Sequence, residues 1–193
     1  MLNSKSKFDR SDWFKLFLVC AFPLHLWTIL MVFRDVNWVA ERTTNWDAVG
    51  FSGYALFYTL IESLLLFGFI ALLGFIIPKN WNITLRFVVL SLVAFILAGW
   101  SIMEQLILIV FWGWLRHLAD TLTFLFTSPW SAYVIFAGLI VISVTVPLLL
   151  LRKHPGLQEK VYSVLERLTL LSGLYLFIDV IGMIIILIRN IKV

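Results

Sequence analysis

The chain has 193 residues, of which 62% are hydrophobic and 13% charged, with a formal net charge of +4. Soluble domains are about 45–50% apolar and about 25% charged, so the few polar residues of this chain could not cover an apolar core of such a size. The composition therefore excludes a soluble globular protein and predicts an integral membrane protein that forms one domain, residues 1–193. The single cysteine, Cys20, excludes a disulfide framework.

Five segments are long and apolar enough to cross a bilayer, because about 20 apolar helical residues span about 30 Å of hydrocarbon. They are, in chain order, residues 13–33, 51–77, 85–111, 129–151 and 168–188. The first segment has no small-residue cleavage site after it, which predicts a retained signal anchor. The sequence thus predicts an all-α polytopic membrane bundle of about five transmembrane helices.

A sixth segment, residues 112–126, has a different pattern. Leucines recur at helical spacing on one face, whereas charged and polar residues occupy the other faces: Leu115, Leu118, Leu122 and Leu125 against Arg116, His117, Asp120 and Thr123. This alternation is typical of a helix that lies in the membrane interface and not across it. We therefore predict an amphipathic helix on the outer surface.

The distribution of basic residues predicts the orientation, because cytoplasmic connections carry an excess of Lys and Arg. With the N-terminus in the cytoplasm, ten of the 15 basic residues fall on the inner side: Lys5, Lys7, Arg10, Lys15, Lys79, Arg86, Arg152, Lys153, Lys160 and Arg167. Five spans then place the C-terminus outside. Anionic lipid headgroups match this inner positive charge, so the bilayer is the expected partner and no nucleic acid is needed. Either a bacterial inner membrane or an ER-type membrane fits.

Four ionisable residues lie inside the predicted spans, namely His25, Glu62, Glu104 and Asp179. Each costs about 2.5–3.5 kcal/mol on insertion scales, and such residues usually face the bundle interior and are functional candidates. At about 1.5 Å per residue, His25, Glu62 and Asp179 all come out near the midplane, with Glu104 closer to the outer face.

Tyrosines accompany two of these acids. Tyr58 precedes Glu62 by four residues and Tyr175 precedes Asp179 by four. Residues at this spacing share a helix face, so each phenol lies one turn from its acid. We expect these residues to form one ligand-binding or proton-binding centre. The alternative is that each polar residue makes a separate hydrogen bond between helices.

Charge limits what such a centre could hold. Apart from Lys15 and Arg86, which lie at the ends of their segments, the predicted spans contain no Lys or Arg, so three acids would share one histidine, and buried like charges oppose one another's ionisation. Some acids must then be protonated, or a cation must join them, either a metal ion or an organic amine. The potential metal ligands are scattered over four helices without a compact motif, so we predict no metal site. No particular cofactor is indicated.

One short segment resembles a known family. The stretch Glu166–Phe177, "ERLTLLSGLYLF", is similar to the start of the last span in emopamil-binding and sigma-2-receptor-like membrane proteins. The rest of the chain departs from that family in span count and loop length. The resemblance implies an alternative function, an intramembrane isomerase-like enzyme acting on a lipid or sterol-like substrate, or a receptor for amphipathic amines.

The leading hypothesis is a binding or transport protein and not an enzyme. The expected ligand is a proton, a cation or an amphipathic molecule, and the polar centre of His25, Glu62, Asp179 and Glu104 would bind it. The small size and the lack of any soluble domain also suit a subunit of a homo-oligomer or of a larger membrane assembly.

Overall fold

A computed structural model describes residues 8–78, 80–109 and 129–191. The described chain forms five α-helices, which are α1 (Arg10–Arg42), α2 (Asn45–Ile76), α3 (Ile83–Ile109), α4 (Pro129–Lys153) and α5 (Pro155–Ile191). The described ranges contain no strand, so the predicted all-α bundle is confirmed. The amphipathic helix predicted at residues 112–126 lies outside the described residues.

Four of the helices, α1, α2, α3 and α5, are long and apolar enough to cross a membrane. Helix α4 has 25 residues and coincides with the predicted fourth span, whose crossing stays a prediction. The apolar helices are therefore compatible with a membrane location.

Helices α1 and α2 are longer than the predicted spans, with 33 and 32 residues. Helix α1 continues through residues 34–42, of which Arg34, Asp35, Glu41 and Arg42 are charged, so only Thr43 and Thr44 connect it to α2. Side-chain caps fix the starts of both helices. The Asp12 N–H donates to Asp9 Oδ1 (2.9 Å), and the Asp47 N–H donates to Thr44 Oγ1 (3.1 Å). These bonds satisfy backbone donors that have no partner within the first turn.

The helices alternate in direction, so the bundle has two distinct ends. At one end the Phe87 ring of α3 contacts the Tyr162 ring of α5, with centroids 5.4 Å apart. At the other end Arg189 of α5 forms an ion pair with Asp47 of α2, at 2.8 Å from Nη2 to Oδ1. We call the first the basic end, because most of the described basic residues that were predicted to be cytoplasmic lie there, and the second the far end.

The apolar core occupies the half of the bundle nearer the basic end. Helix α1 packs against α2, α3 and α5, whereas α4 packs mainly against α3. The most buried members of the core are Leu16, Val19, Cys20, Ile70, Val88, Leu90 and Ala94. Small residues let the backbones approach one another on the far side of this core. A Cβ atom on Gly53 of α2 would lie 3.2 Å from the Gly182 carbonyl oxygen of α5.

Candidate functional site

The centre of the candidate site is a buried pair of side chains that joins α1 to α5. His25 Nε2 lies 2.8 Å from Asp179 Oδ2, and the two side chains are 0% and 1% exposed. These two residues, which were predicted at the same depth, are therefore in contact. An uncompensated charge in hydrocarbon is costly, so a direct partner explains how Asp179 can lie within an apolar helix.

The second ring nitrogen of His25 determines where the protons of this pair lie. His25 Nδ1 is 2.8 Å from the Ala21 carbonyl oxygen, one turn earlier in α1. A carbonyl can only accept, so Nδ1 carries a proton and donates it. In a neutral imidazole, Nε2 is then an acceptor facing Asp179. A hydrogen bond between Nε2 and Asp179 Oδ2 then requires one shared proton, held either as neutral imidazole with carboxylic acid or as imidazolium with carboxylate, and both forms are neutral overall.

Tyr175 contributes its ring to the pair. The Tyr175 and His25 rings stack with an interplanar angle of 6° and centroids 5.8 Å apart. The sequence predicted the Tyr175 phenol one turn from Asp179 on a shared helix face, and in the part of the chain that the structure describes the Tyr175 ring contacts the rings of His25 and Phe22. Stacking covers the imidazole and helps to exclude other molecules from it.

One oxygen of Asp179 remains open. Asp179 Oδ1 is buried and has no hydrogen-bond partner among the described residues. Buried polar atoms are normally paired, because an unsatisfied one costs about 1–3 kcal/mol. The pair thus retains an acceptor that an incoming donor could use.

Glu62 does not join this pair but lines a separate cleft between α1, α2 and α3. The cleft has a volume of about 240 Å³ and is lined by Leu24, Trp27, Thr28, Glu62, Leu66, Leu97, Ala98, Ser101, Ile102 and Gln105. Glu62 is exposed to it, and the described part of the chain gives its carboxylate no hydrogen bond or ion pair. The single polar centre expected from residue depth is therefore divided into two parts.

A hydroxyl bridge lies between the two parts. Thr28 Oγ1 is 2.7 Å from Thr59 Oγ1, and the Thr59 hydroxyl donates to the Ala55 carbonyl oxygen at 2.9 Å. Since a hydroxyl has one proton, Thr28 is the donor in this bridge. Thr28 lines the cleft and follows His25 by three residues, which places it one helical turn from the buried pair.

Glu104 and Tyr58 are not brought to either part. Both are exposed, Tyr58 with 61% of its surface accessible, and its ring contacts the neighbouring Phe57 ring. The sequence predicted Glu104 above the centre and Tyr58 one turn from Glu62, but depth and spacing do not determine which face of a helix meets its neighbours. Glu104 and Tyr58 are exposed, whereas His25 and Asp179 are buried, so neither belongs to the buried pair.

The structure adds residues that were not predicted as members of the site. The Ala21 carbonyl orients His25, Thr59 bridges to α1, and the Trp27 indole N–H donates to Gln105 Oε1 across the cleft. The spacing of Thr28 and Thr59, each three residues from a predicted site residue, is a signal that could have identified the bridge. A backbone acceptor such as that of Ala21 carries no signal in the sequence.

Within the described ranges, no group of three or more His, Cys, Asp or Glu side chains could hold a metal ion. Comparison with protein-family models, with curated proteins and with solved structures found no match.

Proposed function

We propose that this chain is a small membrane transport protein whose His25–Asp179 pair binds the transported proton. The observation that carries the proposal is the pair of contacts made by His25, in which Nδ1 donates to Ala21 and Nε2 faces Asp179 Oδ2 at 2.8 Å. This geometry holds one proton between two groups in a neutral unit, a form that hydrocarbon tolerates.

Loss of that proton would change the contact between α1 and α5. A neutral imidazole and a carboxylate would then face each other with lone pairs only, and the site would carry a buried negative charge. Rearrangement, or a new donor at the open Asp179 Oδ1, would relieve this state. Proton binding is thereby coupled to the packing of two helices, which is what a transport cycle needs.

The burial of the pair also favours transport over the isomerase alternative. A catalytic acid or base must lie within hydrogen-bond reach of its substrate. His25 and Asp179 are 0% and 1% exposed, so a sterol-sized substrate has no access to them in this arrangement.

Proton flux into liposomes tests the proposal. The purified protein is reconstituted with a pH-sensitive dye inside, and an inward proton gradient is applied. Wild type is expected to acidify the interior faster than protein-free liposomes, and Asp179→Asn to lower the rate at least about tenfold. Glu104→Gln, an exposed acid outside both parts of the site, should retain the rate. Equal rates in wild type and Asp179→Asn would refute the proposal.

A second candidate, binding of an amphipathic cation, is favoured by the cleft. Glu62 presents a carboxylate to it, and among the ten lining residues there is no Lys or Arg. The volume of about 240 Å³ is below the range of about 300–1,000 Å³ for whole drug-sized ligands, so the cleft suits a cationic head with its tail in lipid.

Dodecylamine and dodecanol test whether binding depends on the positive charge, because the two molecules share a tail and differ in charge. Binding is measured calorimetrically to protein in phosphatidylcholine nanodiscs, with empty nanodiscs subtracted. Wild type is expected to bind the amine at least about tenfold more tightly than the alcohol, and Glu62→Gln to remove that preference. Retention of the preference in Glu62→Gln would exclude the cleft as its source.

A further inference from the structure

A second, larger groove lies between α3 and α5 and plays no part in the proposed site. Its walls are apolar, formed chiefly by Leu92 and Phe95 of α3 and by Val161, Val164 and Leu168 of α5, and its volume is about 340 Å³. We call this the α3–α5 groove. Its volume is within the range of about 300–1,000 Å³ that small-molecule sites have.

One charged residue, Lys160, lines the groove at its basic end. The contact between the Phe87 and Tyr162 rings places Tyr162 level with Phe87, two residues inside the predicted third span. Lys160 precedes Tyr162 by two residues and so lies about 3 Å nearer the end of the bundle. Lys160 is therefore at the level expected for lipid headgroups, while the groove runs about 12 Å further along α5 up to Leu168.

The ammonium group of Lys160 is available to a ligand, whereas two other basic residues of the basic end are engaged. Lys15 is paired with Glu166 at 2.7 Å, and the Arg152 guanidinium lies over the Trp81 ring at 5.4 Å. Lys160 is exposed and has no hydrogen bond or ion pair in the part of the chain that the structure describes. An available cation at the end of the apolar α3–α5 groove is complementary to an anion attached to a hydrocarbon chain.

We propose that the α3–α5 groove binds one acyl chain of an anionic phospholipid, whose phosphate contacts Lys160. The apolar walls offer no polar contact to a free hydrophilic anion, whereas a hydrocarbon chain can cover them. The single lysine supplies a preference for negative headgroups, and basic pockets near the membrane surface commonly recognise lipids in this way. The proposal is independent of the proton site.

Native mass spectrometry of the protein with retained lipid tests this proposal. Phosphatidylglycerol and phosphatidylcholine with identical acyl chains are offered in equal amounts. Wild type is expected to retain about fivefold more phosphatidylglycerol, the effect of one basic residue near an anionic group. Lys160→Gln should abolish this preference, whereas Lys153→Gln, which removes an exposed lysine of the basic end outside the groove, should keep it.

A variant that fills the groove tests the contribution of the acyl chain separately from that of the headgroup. Val164→Trp replaces a wall residue that is 57% exposed, so the larger side chain can be placed without disturbing the core. It is expected to lower retention of both lipids, while inorganic phosphate should leave the melting temperature of wild type unchanged. The proposal is overturned if Lys160→Gln and Lys153→Gln reduce the preference equally, if wild type shows no preference, if Val164→Trp retains lipid normally, or if inorganic phosphate alone stabilises the protein.

Discussion

At the scale of single residues, the buried pair is the most constrained feature of the molecule. His25 has both ring nitrogens engaged, one with the Ala21 carbonyl and one with Asp179. Asp179 has one oxygen engaged and one open. The burial of each residue therefore depends on the other, because removing one partner leaves a buried polar group without a hydrogen bond.

Substitutions of the pair should separate its structural role from its proton. Asp179→Asn is expected to leave the melting temperature close to that of wild type, because the amide N–H can donate to His25 Nε2 in place of the shared proton. His25→Leu leaves Asp179 buried alone and is expected to lower the free energy of unfolding by about 3–5 kcal/mol.

The double variant completes this prediction. His25→Leu combined with Asp179→Leu replaces the pair by apolar contact and should regain most of the lost stability. Unfolding in mixed detergent micelles measures all four proteins. A His25→Leu variant as stable as Asp179→Asn would show that the pair does not join α1 to α5 energetically.

At the scale of elements, the contact between α2 and α5 sets the position of Asp179. Gly53 and Gly182 let the two backbones meet, with Gly182 three residues beyond Asp179. Towards the far end, the Arg189 guanidinium donates to the Trp46 carbonyl oxygen (2.6 Å) and to Asp47 Oδ1 (2.8 Å). A side chain at Gly50 would collide with this guanidinium, so small residues on α2 serve both contacts.

Gly182→Val should therefore destabilise the bundle. Its Cβ would lie 3.3 Å from the Gly53 carbonyl oxygen, and backbone atoms cannot yield as a flexible side chain does. We expect a loss of about 1–3 kcal/mol in the free energy of unfolding, as for other overpacked sites. The matched control is Gly173→Val on the same helix, where an added Cβ meets no atom within 4 Å. Equal losses in both variants would mean that the approach of α2 to Gly182 does not account for the effect.

At the scale of the whole molecule, the two ends of the bundle differ in construction. The half near the basic end is a continuous apolar core, whereas the half towards the far end contains the pair, the cleft and the glycine contact. The polar sites consequently lie outside the continuous apolar core. In a membrane, helix association depends on close packing and polar contacts between helices, which is what these sites supply.

Cysteine labelling in intact membranes tests the arrangement across the bilayer. Thr43→Cys, in the turn between α1 and α2, and His154→Cys, between α4 and α5, are made with Cys20→Ala. Three helices, α2, α3 and α4, separate these positions. If all three cross the membrane, the two positions lie on opposite sides, with position 154 in the cytoplasm. Labelling of both from one side would contradict a crossing by all three helices.

The sequence by itself determined the class of protein and the elements. Apolar runs of about 20 residues require helices in hydrocarbon, because every backbone polar group must be bonded internally. The starts of α3 and α4 were predicted within a few residues for this reason. The depth of each ionisable residue followed from the same rise per residue, which is how His25 and Asp179 were identified as neighbours in height.

Only the tertiary structure decided which of these residues meet. Height along a helix is fixed by residue number, but the direction of a side chain depends on how each helix is rotated against its neighbours. That rotation is set by contacts such as Gly53 with Gly182, which the sequence pattern does not specify. The rotation of the helices places Asp179 against His25, directs Glu62 towards a separate cleft and leaves Glu104 exposed. All four residues are nevertheless equally conspicuous in the sequence.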